Sequence, residues 1–354
     1  MPTNVTPEFK RAKEAFQRAR DPAERLRHLK EMLRAVPKHK GTEHLQADIK
    51  TRIKELTEEL AGPRKGGART GPSHAVRPEG AAQVGLVGPP NVGKSSLHAS
   101  LTGSHAEVGP YPHSTVAPLP GMLPHEDIHI QLVDLPPIGV DFMEPWMPNA
   151  LQPAHAALLV VDLNLPGCVE NVAAIREKLD ERRISLIATW PGPLDPTQLL
   201  APVPQPAQEP PEGDDGDADD TFRIFLPTLL VANKNDVNFD PEEINVLEEL
   251  IGVRYPAVSV SAKTGDGLDR IGPLLFEGLN LVRVYTKIPG KPPEHDKPYT
   301  LFRGDTVEDV ARLVHRDIAA SLKFARIWGS GKFEGQQVGK DHQVNDGDVV
   351  ELHS

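Results

Sequence analysis

The chain has 354 residues, 38% of them hydrophobic, and a formal net charge of -11. That supplies enough apolar material for roughly two or three cored domains, while the single cysteine, Cys168, excludes a disulfide within the chain. No apolar run reaches the length of a membrane span, and the first thirty residues lack the apolar segment of a signal peptide, so no membrane and a reducing cytoplasm are the expectation.

In chain order, Thr6-Pro7-Glu8 reads as the cap of a helix running to about residue 20, and Asp21-Pro22-Ala23-Glu24 as the cap of a second. Leu26, Leu29, Met32 and Leu33 share one face of that second helix, which Pro37 ends. Leu45, Ile49, Ile53, Leu56 and Leu60 share one face of the next, opened by Thr42. Two stripes joined by the short turn 37–41 predict an antiparallel helical hairpin, which makes residues 1–61 a helical region. Residues 1–70 hold 17 Lys+Arg against 10 Asp+Glu, a net +7 that leaves -18 for the rest. Such an arm is either the contact surface for a polyanion or an ordinary solvated helix face. Residues 62–81, rich in Gly, Pro, Arg and Ala without periodicity, read as a linker.

From residue 82 to 281 strands and helices alternate, the pattern of an α/β domain with a mostly parallel sheet. Strands are expected at 83–87, 128–133, 156–162, 184–188, 226–232 and 257–260, and helices at 94–101, 169–181, 241–251 and 268–279. Residues 191–221 are crowded with proline and end in an Asp-rich run; they carry too little apolar surface to offset ordering and read as a disordered loop. Residues 282–354 place short strands around one helix that starts at Thr306, a small α+β domain whose core Trp328 is expected to fill.

Within the α/β domain, Gly88-Pro-Pro-Asn-Val-Gly-Lys-Ser-Ser96 fits G-x-x-x-x-G-K-[ST] between a strand and a helix, the context of a phosphate loop. Glycines let successive N–H groups point into one concavity, and the helix that follows adds its positive end. The candidate phosphate contacts are Gly88, Asn91, Val92, Gly93, Lys94, Ser95 and Ser96, with Lys94 supplying the charge for the outer phosphates. The hydroxyl of Ser95 is placed to hold Mg2+, Asp134 at the end of its strand to hold it through water, and Thr115 to add a second hydroxyl when a γ-phosphate is present. Lys94 and Thr115 are therefore the candidate catalytic residues.

Asn233-Lys234-Asn235-Asp236 follows a strand, at the sheet edge where α/β proteins bind ligands. A carboxylate at Asp236 accepts from guanine N1–H and its exocyclic amine, a donor pair that adenine lacks. At about 1.5–3 kcal/mol per charge-assisted bond, that difference selects guanine by orders of magnitude. Asn233 and Lys234 brace the pocket. Ser261-Ala262-Lys263 ends the next strand, where the Ala262 N–H can meet guanine O6 and Ser261 steadies the turn. The four stretches in this order predict GTP/GDP binding.

These motifs resemble the Obg-like GTPases, and most closely the developmentally regulated GTP-binding (DRG-type) family. Tyr111-Pro-His-Ser-Thr-Val-Ala-Pro-Leu-Pro-Gly121 resembles the family's switch I, and Pro37-Lys-His-Lys-Gly-Thr-Glu-His44 its N-terminal hairpin. Val284-Tyr-Thr-Lys287, Trp328, and Val338-Gly-Lys-Asp-His342 through Asp348-Val-Val350 resemble the TGS domain, a ubiquitin-like β-grasp module. The resemblance implies a P-loop GTPase domain between the helical hairpin and the TGS domain. It implies a slow Mg2+-dependent GTPase switch that associates with a ribosome or RNA through the basic hairpin and the TGS domain. The family's switch II begins D-x-P-G, but here it is Asp134-Leu135-Pro136-Pro137. Proline has no N–H to give a γ-phosphate; either the sensing of GTP is blunted or Ile138 or Gly139 substitutes. No residue presents itself as a general base, so hydrolysis rests on positioning and charge. Asn91 stands where potassium-activated GTPases carry an asparagine that helps bind K+; the alternative is a turn-former with local bonds only. The rival to the switch is a non-hydrolysing nucleotide-binding adaptor whose TGS domain recruits a protein partner.

Overall fold

The computed structural model describes residues 6–19, 22–36, 43–60, 76–104, 117–200 and 222–354. They form two compact units, one made of the N-terminal helices with residues 180–185 and 222–225, the other of the remaining described residues. Among them no helix is long and apolar enough to cross a membrane.

In the first unit, α1 (Pro7–Arg18), α2 (Pro22–Ala35) and α3 (Glu43–Leu60) pack in sequence. Thr6 caps α1 by accepting the Phe9 N–H at 3.2 Å, and its own hydroxyl donates to the Ala35 carbonyl at 3.0 Å, pinning the start of α1 to the end of α2. Leu29 and Met32 of the α2 stripe and Leu45 and Ile49 of the α3 stripe are buried together with Phe9, Phe16 and Phe222. The helical pair predicted from the two stripes therefore holds, and α1 joins it. Phe222, from beyond the proline-rich segment, meets Phe16 edge-on at 6.0 Å, and the Arg52 guanidinium lies 4.1 Å over its ring. The turn 37–42 and most of the predicted linker, residues 61–75, lie outside the described residues.

The second unit contains both sheets apart from the first two residues of each of two strands, 184–185 and 224–225. The first is built from β1 (Gln83–Val87), β2 (Leu119–His125), β3 (Ile128–Asp134), β4 (Ala156–Val161), β5 (Ile184–Ile187), β6 (Ile224–Ala232) and β7 (Ala257–Ser259), in the order β2-β3-β1-β4-β6-β5, with β7 also on β6. The strands β3, β1, β4, β6 and β7 run parallel; β2 is antiparallel to β3. The helices α4 (Lys94–Thr102), α5 (Met147–Leu151), α6 (Cys168–Asp180) and α7 (Glu242–Ile251) lie between these strands in sequence, and α8 (Ile271–Gly278) follows β7. All five residues of β1 and all six of β4 are buried, as central parallel strands covered on both faces require. The strand β2 is absent from the sequence expectations because Pro120, Gly121 and Pro124 interrupt its pattern; it forms at the sheet edge, where proline is tolerated.

The loop predicted over 191–221 is described only as far as residue 200, and that part is packed rather than disordered. Leu194 and Leu199 lie against the main core, and the Leu200 N–H donates to the Ala257 carbonyl at 2.8 Å. Two leucines among the prolines supply the burial that composition averaged away, and one backbone hydrogen bond adds to it. The acidic run lies outside the described residues.

The second sheet comprises β8 (Leu281–Thr286), β9 (Glu294–Phe302), β10 (Phe324–Trp328), β11 (Gln336–Val338) and β12 (Asp348–His353), in the order β11-β10-β12-β8-β9. The helices α9 (Val307–Val314) and α10 (Arg316–Ser321) lie between β9 and β10 in sequence, and Thr306 and Asp309 form a capping box at the start of α9. The terminal strand β12 is inserted parallel to β8 and antiparallel to β10. Trp328 is not in this core: Ala325 and Ile327 point inward, and Trp328 lies on the other face with Lys287 Nζ 4.3 Å from its ring. The period of two along β10 decides this over the size of the side chain.

Candidate nucleotide-binding site

Buried β1 ends at Gly88, and the turn from Gly88 to Gly93 delivers the chain into α4. A side chain at Gly88 would put its Cβ 2.3 Å from the Val160 carbonyl oxygen, so the turn lies against the end of β4 only because the position is glycine. Gly93 has φ +87°, and a Cβ there would lie 2.5 Å from Asn233 Nδ2. Val92 is buried in the core. Ser96 follows Ser95 in the first turn of α4 and is half-buried. Lys94 is buried; its ammonium folds back over the turn and donates to the carbonyls of Gly88 (3.0 Å) and Pro89 (2.9 Å). Burial pulls its pKa down to about 8, with the Asp134 carboxylate opposing the shift. A buried ammonium held by two carbonyls beside a glycine turn can exchange those weak acceptors for phosphate oxygens.

Asp134, fully buried at the end of β3, accepts a hydrogen bond of 2.6 Å from the Ser95 hydroxyl. An alcohol and a carboxylate converging at that distance form the hard-oxygen donor set that suits Mg2+. Thr115 lies outside the described residues. Past Asp134 the chain is buried through Leu135, Pro136, Pro137 and Ile138. The Ile138 N–H donates to the Gly88 carbonyl (3.1 Å) and the Gly139 N–H to the Phe142 carbonyl (2.9 Å). Both amides expected to replace the missing Pro137 donor are thus engaged.

At the ends of β6 and β7 the second cluster forms. Asn233 Nδ2 donates to the Val92 carbonyl at 2.9 Å while its Oδ1 accepts the Ala262 N–H at 3.0 Å. One side-chain amide therefore ties the phosphate turn to the Ser261-Ala262-Lys263 segment. A purine oxygen at Ala262 would share or displace that bond. The Ser261 hydroxyl donates to Asp236 Oδ1 (2.8 Å), and Lys263 Nζ lies 3.7 Å from Oδ2. The Ser261 bond leads the causes that hold the Asp236 carboxyl below the usual range, so it is an acceptor throughout the neutral range. Lys234 has φ +66°, and its Nζ donates to the Asn91 carbonyl (2.8 Å) and pairs with Asp162 Oδ2 (2.9 Å). Asn91, with φ +65°, stands exposed at the tip of the turn.

Two residues of this cluster escape the sequence motifs. Asp162, 6% exposed, fixes Lys234, and Asp266 accepts from Asn235 Nδ2 at 2.6 Å and, through its carbonyl, from the Ser261 N–H at 2.9 Å. The signal for Asp162 was its place at the carboxyl end of a buried parallel strand; Asp266 lies in a Gly-flanked turn that gives none.

A family described as 50S ribosome-binding GTPase matches residues 83–189, and the TGS domain matches residues 282–354. The chain is 31% identical over 353 residues to the developmentally regulated GTP-binding protein 1 of Xenopus laevis, covering 89% of this chain and 94% of the relative. It is 30% identical over 353 residues to a developmentally regulated G-protein of Arabidopsis thaliana, with the same coverage. An uncharacterized GTP-binding protein of Methanocaldococcus jannaschii is 28% identical, over 92% of this chain and 91% of that one. A solved GTP-binding protein from Pyrococcus horikoshii aligns over 77% of this chain and 99% of its own, with 18% identity and a TM-score of 0.48.

Proposed function

This chain belongs to the developmentally regulated GTP-binding proteins, and from that premise we propose that it is a slow, Mg2+-dependent GTPase switch in the cytoplasm whose partner is a ribosome or RNA. The observation that carries the nucleotide reading is the Asn233 amide. By bonding both the Val92 carbonyl and the Ala262 N–H, it joins the turn that carries Lys94 to the segment that steadies Asp236. Phosphate grip and base recognition then belong to one site.

Ser95 and Asp134 would hold Mg2+, with Thr115 as the further hydroxyl. When bound, the ion neutralises charge on the outer phosphates. Lys94 adds a second charge there, and the N–H groups at the start of α4 orient the chain of phosphates. The position that would orient water after Asp134 holds Ile138, fully buried and apolar, which supports a low rate. Exposed Asn91 is the candidate K+ ligand; equal turnover in KCl and NaCl would remove that assignment. The basic N-terminal region and the TGS domain contribute none of the nucleotide-site residues and are the proposed partner surfaces. Nucleotide-dependent co-sedimentation with ribosomes, lost on deleting residues 284–354, is the expected result.

A second reading is a nucleotide-binding adaptor that does not hydrolyse GTP and uses its TGS domain for a protein partner. Pro137, with no N–H, and the engaged amides of Ile138 and Gly139 favour it. Single-turnover phosphate release separates the two. Release above the enzyme-free background in K+ with ribosomes present supports the switch; release at background supports the adaptor.

A further inference from the structure

The sheet order sets β4 between β1, which leads into the phosphate turn, and β6, which leads into Asn233-Lys234-Asn235-Asp236. Asp162 follows the last residue of β4, with 6% of its surface exposed. Its carboxylate is divided between two partners: Oδ1 accepts the Asn164 N–H at 3.0 Å, and Oδ2 pairs with Lys234 Nζ at 2.9 Å. The same ammonium donates to the Asn91 carbonyl at 2.8 Å. One cation therefore joins a buried carboxylate to the tip of the phosphate turn.

That tip needs holding. Asn91 has φ +65° and Lys234 φ +66°, left-handed conformations that residues with a Cβ seldom adopt and that persist where the surroundings fix them. Pro89 and Pro90 have no N–H, so the first amides of the turn that can meet a phosphate belong to residues 91–93. Neither the Val92 nor the Gly93 N–H has a protein acceptor among the described residues. In a trans peptide the carbonyl and the next N–H point in opposite directions. By drawing the Asn91 carbonyl toward itself, Lys234 turns the Val92 N–H away, and Asn233 does the same for the Gly93 N–H through the Val92 carbonyl. Asn233 is itself anchored by the Ala262 N–H, whereas the Lys234 side chain is 39% exposed and takes its anchor from Asp162.

We propose that Asp162 is a positioning residue for nucleotide binding: its carboxylate holds the Lys234 ammonium on the Asn91 carbonyl, and so keeps the Val92 N–H aimed at the phosphates. This inference rests on the GTPase reading. It gives Lys234 a task on the phosphate side in addition to bracing the base pocket.

The test uses calorimetry on the full chain with Mg2+, and compares GDP with IDP, which lacks the exocyclic amine. Asp162→Asn keeps an acceptor for the Asn164 N–H and removes the charge. It weakens both nucleotides about tenfold, the scale of one charge-assisted bond, and leaves the ratio of their affinities as in wild type, because Asp236 still reads the base. Lys234→Met weakens GDP at least as far. Adding Asp162→Asn to Lys234→Met then changes GDP affinity by less than about twofold, a non-additivity that general damage to the fold does not produce. Asp162→Ser, which also keeps an oxygen for the Asn164 N–H, takes the place of Asp162→Asn if that variant does not fold. GDP affinity at or above wild type in Asp162→Asn, or a full loss repeated in the Lys234→Met background, overturns the proposal and leaves the GTPase reading standing. A GDP-to-IDP ratio that falls toward one moves the role of Asp162 to the base and overturns it as well. If wild type binds neither nucleotide, the GTPase reading falls and takes the proposal with it.

Discussion

The Tyr285 hydroxyl donates to the Asp127 carboxylate at 2.5 Å, and so ties the first strand of the TGS domain to the turn between β2 and β3. Arg283, two residues earlier, bonds Glu126 and Asp127 in the same turn and Asp346 in its own domain, with its guanidinium 4.9 Å over the Phe276 ring of α8. The turn is the far end of the strand pair whose other end holds Asp134.

This joint has a stability signature. Burial works to raise the Asp127 carboxyl, but hydrogen bonds from Tyr285 and Arg283 outweigh it and leave the pKa below its usual value. A carboxylate lowered in the fold adds stability above its unfolded value of 3.8 and loses it as pH falls through the folded value. Tyr285→Phe is expected to destabilise the protein by about 1 kcal/mol at neutral pH. In thermal melts the gap to wild type narrows below pH 3.8. A gap that does not change with pH would mean the hydroxyl acts through packing.

Asp236→Asn tests base recognition directly. It replaces an acceptor pair with a mixed donor and acceptor facing two guanine donors. Calorimetry is expected to show at least about tenfold weaker GDP binding, the equivalent of one lost charge-assisted bond, and no gain for ADP. Unchanged GDP affinity would place the base elsewhere.

Pro137→Gly restores an amide where the chain has none. It is expected to tighten a GTP analogue more than GDP, by up to about tenfold for one hydrogen bond. Equal changes for the two nucleotides would show that Ile138 or Gly139 gives up its present acceptor and already serves the γ-phosphate.

Glu248 on α7 is 2% exposed, and its Oε1 has no hydrogen-bond partner among the described residues. Burial raises its pKa, with Arg254 opposing. A raised carboxyl costs stability as pH rises from the unfolded value of 4.5 through the folded one, so the charge is a burden at pH 7. Glu248→Gln is expected to raise stability there by about 1 kcal/mol, with the advantage fading below pH 4.5. A variant that melts earlier than wild type at pH 7 would assign the carboxylate a partner.

Much of the site was legible because phosphate turns and strand ends draw on few residue types. Gly88, Gly93, Lys94 and Ser95 follow one another within a single turn and helix start, so the sequence displays the geometry. Asp162 and Asp266 were not legible: each acts on a motif residue from a distant stretch, and only the fold shows that Lys234 and Asn235 need them. In the fold, β1 and β4 announced themselves by unbroken apolar runs. Edge strand β2 hid behind its prolines, Trp328 was misplaced because size was read ahead of alternation, and residues 191–200 because composition was averaged over a segment with two anchoring leucines.

The prolines of β2 also bear on the behaviour of the protein in concentrated solution. Two of its seven residues have no amide hydrogen. A strand from another molecule approaching this rim finds a broken row of donors and cannot zip along it, so sheet-to-sheet polymerisation is blocked at that border.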